Sequence, residues 1–408
     1  MKLKILLISI LFVSFAGAQA QTYNELNGQG GLNVITTAVP FLMIAPDARA
    51  GSMGDAGVSS EPDVYSMHWN PAKYAYMATD MSVGLSYSPW LRNLVPDMNL
   101  AYLTFAKRID PMSTFAASLR YFTLGDIQFT DEFGNDNGTY SPNEWAVDAT
   151  YSRKLTDNLS GAVSGRFIYS DLTQGQFVQG AETSAGWSVA ADVAVYWRKD
   201  VNWFQDIKSN FAWGVNISNI GAKLGYNQSS IKKDFIPTNL RFGPTLTLEI
   251  DDYNTIAFSL DINKLLVPTP PIYKRDSLGN PIPIPGTDNF EIEAGMSDDV
   301  TVVKGMVQSF YDAPGGFNEE MREFSFAFGT EYWYNKVFAL RGGFFYEDKT
   351  KGNRKFASLG AGLRYNVFGL DFSYLIPVNS KTSTGTNPLS NTLRFALTFD
   401  LGKLPKKN

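Results

Sequence analysis

The chain has 408 residues, a formal net charge of −5 and aromatic residues at 14% of its positions. It contains no cysteine, which excludes disulfides, thiolate nucleophiles and cysteine-ligated metal sites. Its acidic balance is the opposite of what nucleic-acid binding requires, so no nucleic acid is expected as a partner.

The first predicted element is a secretory signal at residues 1–20. Lys2 and Lys4 give it a positive start, an apolar run follows at residues 5–15, and Ala18-Gln19-Ala20 forms a small-residue cleavage site. This apolar run is too short to remain as a membrane-spanning helix. We therefore expect an exported protein.

Residues 21–79 are predicted to form a compact plug. Glycine and alanine crowd its central part, residues 48–72, and glycine permits backbone angles and close approaches that other residues forbid. The composition favours a tightly packed loop without helix, ending where Pro71 fixes its own φ and biases the preceding residue toward extended backbone. The residues predicted to define this plug motif are Gly51, Gly54, Gly57, His68, Asn70, Pro71 and Ala72.

Residues 80–403 alternate between apolar and small or polar side chains. The clearest segment carries Trp187 and Trp197 at the two ends of an apolar stripe, as expected of a strand that crosses a membrane between two aromatic belts. Strands of this length with aromatic residues at both ends are not expected in a soluble β-sandwich. The pattern predicts an all-β fold: a membrane-spanning antiparallel β-barrel of about fourteen strands with an N-terminal plug. The strands are expected to begin near Met81, Met98, Phe115, Trp145, Leu159, Trp187, Phe211, Leu240, Ile256, Phe324, Val337, Phe356, Leu370 and Leu393.

The connections between these strands alternate between short and long. Outer-membrane barrels have short periplasmic turns and longer outer loops. Both termini, including a tail at residues 404–408, are therefore expected in the periplasm, and the long loops outside the cell. The largest loop, residues 265–323, is rich in proline in its first half and is expected to contain a short helix within residues 298–310, with acidic residues at its start.

Large apolar side chains occur in the loops expected outside. Exposed aromatic side chains are unfavourable unless a partner covers them, and aromatic anchors dominate protein interfaces. Either these residues bind a partner, or they pack on one another as a lid over the barrel. They are Trp90, Leu91, Tyr273, Phe290, Met306, Phe310, Tyr311 and Phe317.

Charged side chains alternate into the predicted lumen in equal numbers of each sign. They are Arg120, Arg166, Arg341, Arg364, Arg394, Asp192, Glu249, Asp261, Glu331 and Asp371. One interpretation is that they pair across a plug-filled lumen and hold the plug to the wall; the other is a polar conduit. Paired charges around a plug do not favour an open pore.

Catalysis is poorly supported by the sequence. A Ser–His–acid site would have to use His68, the single histidine, and no G-x-S-x-G motif is present. Residues 131–138 hold oxygen ligands that calcium could use, but they lack the EF-hand spacing and are better explained as a solvated loop. We expect neither an enzyme nor a cofactor nor a metal.

Four segments taken together resemble a known family. They read APDARAG at residues 45–51, MGDAG at 53–57, HWNPAKY at 68–74 and SYSPWL at 86–91. This order is similar to the PorV family of outer-membrane proteins in the Bacteroidetes type IX secretion system, and the plug followed by NPA and a strand is similar to FadL-type barrels.

The resemblance implies a function without catalysis. PorV-like proteins receive cargo that carries a C-terminal signal domain from the large translocon barrel. They deliver it to the attachment complex, where a PorU-type sortase joins it to lipopolysaccharide in the outer membrane. The alternative is a FadL-type transporter of hydrophobic small molecules, and a lipid A deacylase is a more distant one. A transporter needs an apolar lumenal pocket, whereas a carrier needs an exposed surface on its outer loops.

Overall fold

The computed structural model describes residues 32–92, 95, 97–130, 136–173, 175, 177–178, 181–204, 207–226, 233–287, 289–378, 381–382 and 385–403. The predicted signal at 1–20, the first part of the predicted plug at 21–31, the loop residues 131–135 and the tail at 404–408 lie outside the described residues. None of the helices in the described ranges is long and apolar enough to cross a membrane.

Fourteen antiparallel strands form a closed barrel, which confirms the predicted fold class. The strands are β1 (Thr79–Pro89), β2 (Asn99–Asp110), β3 (Ser113–Thr123), β4 (Asn143–Lys154), β5 (Leu159–Asp171), β6 (Gly186–Val201), β7 (Lys208–Gly221), β8 (Asn239–Glu249), β9 (Asn254–Leu265), β10 (Phe324–Tyr334), β11 (Phe338–Tyr346), β12 (Lys355–Tyr365), β13 (Phe368–Pro377) and β14 (Thr392–Lys403). The barrel closes where β1 pairs with β14. Every predicted strand start lies within three residues of the observed one.

Alternation along each strand sorts the side chains into two environments. In β6, Trp187 and Val189 face outward and are exposed, whereas Ser188 and Asp192 face inward and are buried. Successive side chains of a strand point to opposite faces, so one period-two pattern builds both the apolar exterior and the small, polar interior.

Short and long connections lie at opposite ends of the barrel. The short turns are residues 111–112, 155–158, 202–207, 250–253, 335–337 and 366–367. The long connections are residues 90–98, 124–142, 172–185, 222–238, 266–323, 347–354 and 378–391. We refer to the two ends as the short-turn end and the long-loop end.

Residues 34–78, here called the inner segment, pack against the inward face of the barrel. Two one-turn helices, α1 (Ala48–Gly51) and α2 (Ser66–Trp69), and the 3₁₀ helices Pro40–Met43 and Pro71–Tyr76 interrupt its loops. The expectation of a loop without helix is therefore wrong. Local capping explains the difference: the Asp47 side chain accepts a hydrogen bond from Ala50 N, and the Asn70 side chain accepts one from Ala72 N.

Glycines in the strands of the barrel wall allow the inner segment to pack closely against it. Five inward-facing glycines stand where an added β-carbon would overlap with it: Gly84, Gly214, Gly329, Gly343 and Gly360. They belong to β1, β7, β10, β11 and β12, which lie in different parts of the closed sheet. The inner segment therefore approaches the backbone of the wall from several sides, closer than any larger side chain would allow.

The longest connection, residues 266–323, is folded. It contains a small hairpin, in which Ile272–Tyr273 pairs with Ile292–Ala294, and the helices α3 (Val302–Gln308) and α4 (Phe317–Arg322). α3 is shorter than the predicted helix, and the predicted acidic start is wrong. Asp298 and Asp299 come before the N-cap residue Thr301, so no acidic residue lies in the first turn.

Candidate functional site

The long-loop end exposes some of the apolar residues expected there, and not others. Phe290, Phe310, Tyr311 and Phe317 are exposed. Trp90, Leu91, Tyr273 and Met306 are half-buried. Trp90 packs against the cluster that contains Phe41 and Leu42, and Tyr273 packs on Phe290 with ring centroids 5.6 Å apart. The eight residues therefore do not form one exposed set.

A different group of exposed apolar residues lies on α3, on α4 and directly after α3. Val303 and Val307, four positions apart on α3, are 71% and 59% exposed, and Phe317 and Met321, four apart on α4, are 77% and 47% exposed. Side chains at this spacing share one face of a helix. We call Val303, Val307, Phe310, Tyr311, Phe317 and Met321 the apolar loop surface. The i,i+4 spacing of Val303 with Val307 and of Phe317 with Met321 was a sequence signal that could have identified both valines and Met321.

Buried ion pairs hold α4 on the barrel. Lys264, at the end of β9, places its Nζ 2.6 Å from Glu323 Oε2 and 3.2 Å from Glu320 Oε2. Lys351, in the neighbouring long connection, places its Nζ 2.5 Å from Glu319 Oε1 and 3.0 Å from Glu323 Oε1. We call these five residues the loop clamp. Since removing one member leaves the others buried and uncompensated, the clamp strongly favours one position of α4.

Asp312, between α3 and α4, joins the helices to the chain that leaves β9. Its Oδ2 accepts hydrogen bonds of 3.2 Å from Thr269 N and from Gln308 Nε2. Its Oδ1 has no hydrogen-bond partner among the described residues. Burial raises the pKa of Asp312 to about 6, and the nearby carboxylates of Glu320 and Glu323 act in the same direction. Protonation of Asp312 is therefore expected to favour the position that α3 has here.

Most of the predicted lumenal charges are buried, and one connected group links the inner segment to the wall. Arg49, on α1, binds both oxygens of Glu331 at 2.9 and 2.7 Å and Asp63 at 2.8 Å. Glu331 also accepts from Arg341 at 2.6 Å, and Arg341 binds Asp371 at 2.8 Å. Arg364 completes the group by pairing with Asp371 at 2.7 Å. Arg49 was not predicted from the sequence to have a role.

Other lumenal charges bind the backbone of the inner segment or one another. Asp261 accepts from Gly57 N at 2.7 Å and from Val58 N at 2.8 Å. Arg120 donates to Leu42 O at 2.7 Å. Arg166 pairs within the wall with Asp192 at 3.0 Å and with Asp148, which sequence reasoning missed although it lies on the inward face of β4. Glu249 is exposed and lines a cavity of about 490 Å³ at the short-turn end.

The three plug-motif glycines occupy positions where a side chain would collide with its surroundings. A β-carbon at Gly51 would lie 2.7 Å from Arg394 Nη1, and one at Gly57 would lie 2.6 Å from the Trp69 ring. At Gly54 it would lie 2.5 Å from Phe344 N, and the backbone there has a φ of +69°. A larger residue at any of these positions would displace the inner segment.

The end of the plug motif binds three neighbouring strands. Asn70 Nδ2 donates to Val58 O at 2.9 Å and to Val195 O, on β6, at 3.0 Å. Pro71 and Ala72 are buried, and the carbonyl of Ala72 accepts from Ser152 on β4 at 3.1 Å and from Ser160 on β5 at 2.7 Å.

The surroundings of His68 indicate a structural role. Burial, together with the charge of Arg120, holds the pKa of His68 well below its usual range. Its Nδ1 accepts a hydrogen bond of 2.9 Å from Arg120 Nη2. Within the described ranges, no group of three or more His, Asp and Glu side chains is arranged to hold a metal ion. The contacts of His68 position the inner segment on β3.

The chain is similar to known proteins in two ways. The family model "Type IX secretion system protein PorV" matches residues 27–272. No curated protein sequence matches the chain. Among solved structures, the toluene transporter TbuX of Ralstonia pickettii is 11% identical with a TM-score of 0.44, over 88% of this chain and 98% of that one.

Two further solved structures give similar values. The toluene transporter TodX of Pseudomonas putida is 11% identical with a TM-score of 0.47, over 86% of this chain and 97% of that one. A FadL homologue of Pseudomonas aeruginosa is 11% identical with a TM-score of 0.39, over 90% of this chain and 99% of that one.

The family match is of a different kind because it covers more than half of the chain, residues 27–272 of 408. It includes all four sequence segments that resemble the family, and the closed fourteen-stranded barrel is the fold that the resemblance implies. The chain belongs to the PorV family and is an outer-membrane component of the type IX secretion system.

Proposed function

We propose that this protein carries secretion cargo at the cell surface. It receives proteins with a C-terminal signal domain from the translocon barrel and delivers them to a PorU-type sortase and attachment complex, which joins them to lipopolysaccharide. In this proposal the short turns and both termini are periplasmic, and the long-loop end faces outward. The protein acts by binding, without a catalytic step or a cofactor.

The observation that carries this proposal is the apolar loop surface. Its six side chains are exposed, yet the loop clamp fixes the helix that bears Phe317 and Met321. Holding a binding surface in one conformation lowers the entropy lost on association. Exposed apolar side chains that share one face of a helix, as on α3 and on α4, are typical of protein interaction sites. We therefore assign cargo binding to this surface, and not to the half-buried Trp90, Leu91, Tyr273 and Met306.

Substitution on α3 tests the proposal. The triple variant Val303→Ser, Val307→Ser and Tyr311→Ser removes apolar contact and spares Phe310, whose ring lies 5.5 Å from Lys264 Nζ. The loop clamp therefore stays intact, and the barrel is expected to insert normally and to lose co-purification of cargo. Leu278→Ser is the matched control, because Leu278 is 85% exposed on the hairpin of the same connection and outside the apolar loop surface. Undiminished cargo recovery with the triple variant would disprove the assignment. Loss of hydrophobic small-molecule uptake by that variant would then favour a FadL-type transporter.

We further propose that residues 21–79 act as a plug that closes the lumen. Support comes from the contacts of its described part with the wall, above all Arg49 with Glu331 and the backbone of residues 57 and 58 with Asp261. In this role the lumenal charges serve to hold the plug in place and not to conduct ions.

A further inference from the structure

Arg394, on the inward face of β14, is fully buried at 0% exposure, but its guanidinium group is not satisfied. Its Nε and Nη1 have no hydrogen-bond partner within the part of the chain that the structure describes. Its Nη2 lies 3.9 Å from Asp55 Oδ1, beyond hydrogen-bond distance. A buried guanidinium with unpaired nitrogens is strongly unfavourable, so Arg394 needs an acceptor that the described residues do not supply.

The inner segment holds Asp55 close to Arg394 without letting the two groups meet. Asp55 has a positive φ of 65°, and its Oδ1 has no hydrogen-bond partner among the described residues. Gly51 lies against the guanidinium, where a β-carbon would be 2.7 Å from Arg394 Nη1. The backbone therefore leaves space for the Arg394 guanidinium. Among the described residues, the Nε and Nη1 donors of Arg394 and the Oδ1 acceptor of Asp55 remain unpaired.

A second buried arginine in the lumen is also incompletely bonded. Arg241, on the inward face of β8, uses its Nε to bind Asn263 Oδ1 at 2.7 Å, while its Nη1 has no partner among the described residues. Burial raises the pKa of Asp55, and the positive charges of Arg394, Arg241 and Arg354 oppose that rise. The charge of Arg241 therefore also favours an anion in this region.

We propose that Arg394 binds a small oxyanion, a carboxylate or a phosphate, beside Asp55 at the long-loop end of the lumen. The fixed, planar N–H donors of arginine suit the oxygens of such anions. Arg394 is fully buried and the Asp55 side chain is only 20% exposed, so the ligand is a small free anion and not a group carried by a macromolecule. This site is separate from the apolar loop surface and does not depend on the proposed function.

The purified full-length protein in detergent provides the test. Its melting temperature is measured against inorganic phosphate, and in a second arm against acetate, with chloride holding the ionic strength constant. At least one oxyanion is expected to raise the melting temperature in a saturable way. Arg394→Gln is expected to weaken the apparent affinity at least tenfold, and Asp55→Asn to strengthen it by removing a repelling charge. Arg364→Gln is the matched control, since Arg364 already pairs with Asp371 elsewhere in the lumen and should leave the affinity unchanged.

Phosphate also stabilises proteins without binding, because it is excluded from their surface. If wild type and Arg394→Gln show the same concentration dependence, or if no oxyanion has an effect, the region holds water only and the proposal is wrong. An experimental structure with tungstate tests the site without any variant. A density peak within hydrogen-bond distance of Arg394 supports the proposal, and its absence overturns it.

Discussion

At the residue scale, glycine determines how closely the inner segment approaches its surroundings. Gly57→Ala places a β-carbon 2.6 Å from the Trp69 ring, and overpacking a close-packed site costs about 1–3 kcal/mol. We expect this variant to lower the temperature at which the folded barrel unfolds on a heat-modifiability gel. Gly165→Ala is the control, because a β-carbon there meets nothing within 4 Å. Equal unfolding temperatures for the two variants would show that the inner segment is not tightly packed.

Individual residues also show what could not be predicted from the sequence. Glycine crowding predicted close packing, but it could not identify the neighbours, since Arg49 and Glu331 are 282 positions apart. The alternation placed Glu331 in the lumen and gave no sign that its partner would come from the inner segment. Which charged side chains pair depends on how the fold brings distant parts of the chain together. The residues next to a charge in the sequence do not indicate its partner.

At the element scale, local periodicity explains which predictions succeeded. A strand that faces lipid on one side and the lumen on the other needs a period of two, so each strand start could be placed within three residues. Short helices gave a weaker signal. α1 has four residues and depends on a cap from Asp47, while α3 begins only at Val302, after the acidic residues expected to open it.

The position of α3 is expected to depend on pH through Asp312. Its pKa in the folded protein, about 6, lies above the ordinary value of 3.8, so the charged form is less favourable in the docked loop than in an undocked one. Docking should therefore strengthen as the pH falls from 7.5 through 6 toward 4. Hydrogen exchange of the α3 amides, corrected for intrinsic rates, should show more protection at pH 5 than at pH 7.5.

Asp312→Asn separates this effect from general acid sensitivity. Asparagine keeps an acceptor oxygen for Thr269 N but cannot ionise, so protection of α3 should become independent of pH between 5 and 7.5. If wild type and variant respond to pH in the same way, Asp312 does not control the docking of the loop.

At the scale of the whole molecule, the segregation of short and long connections predicts the orientation in the outer membrane. The chain has no cysteine, so single introduced cysteines report without background. Cysteine substitutions of Asn280 or Asn387, at the long-loop end, should react with a membrane-impermeant thiol reagent on intact cells. Substitutions of Asn158, in a short turn, or of Asn254, the first residue of β9 after a short turn, should react only after the outer membrane is permeabilised. The reverse pattern would place the long loops in the periplasm.

The most direct test of the central claim, that the apolar loop surface binds cargo, is site-specific photo-crosslinking in living cells. A photoreactive amino acid replaces Val307 on α3 or, as the control, Tyr253 in a short turn; both side chains are more than half exposed. In cells that lack the sortase, so that cargo waits on its carrier, position 307 should crosslink to the C-terminal signal domain of cargo and position 253 should not. Crosslinking of cargo at position 253 but not at position 307, or at neither position, would show that the apolar loop surface does not bind cargo.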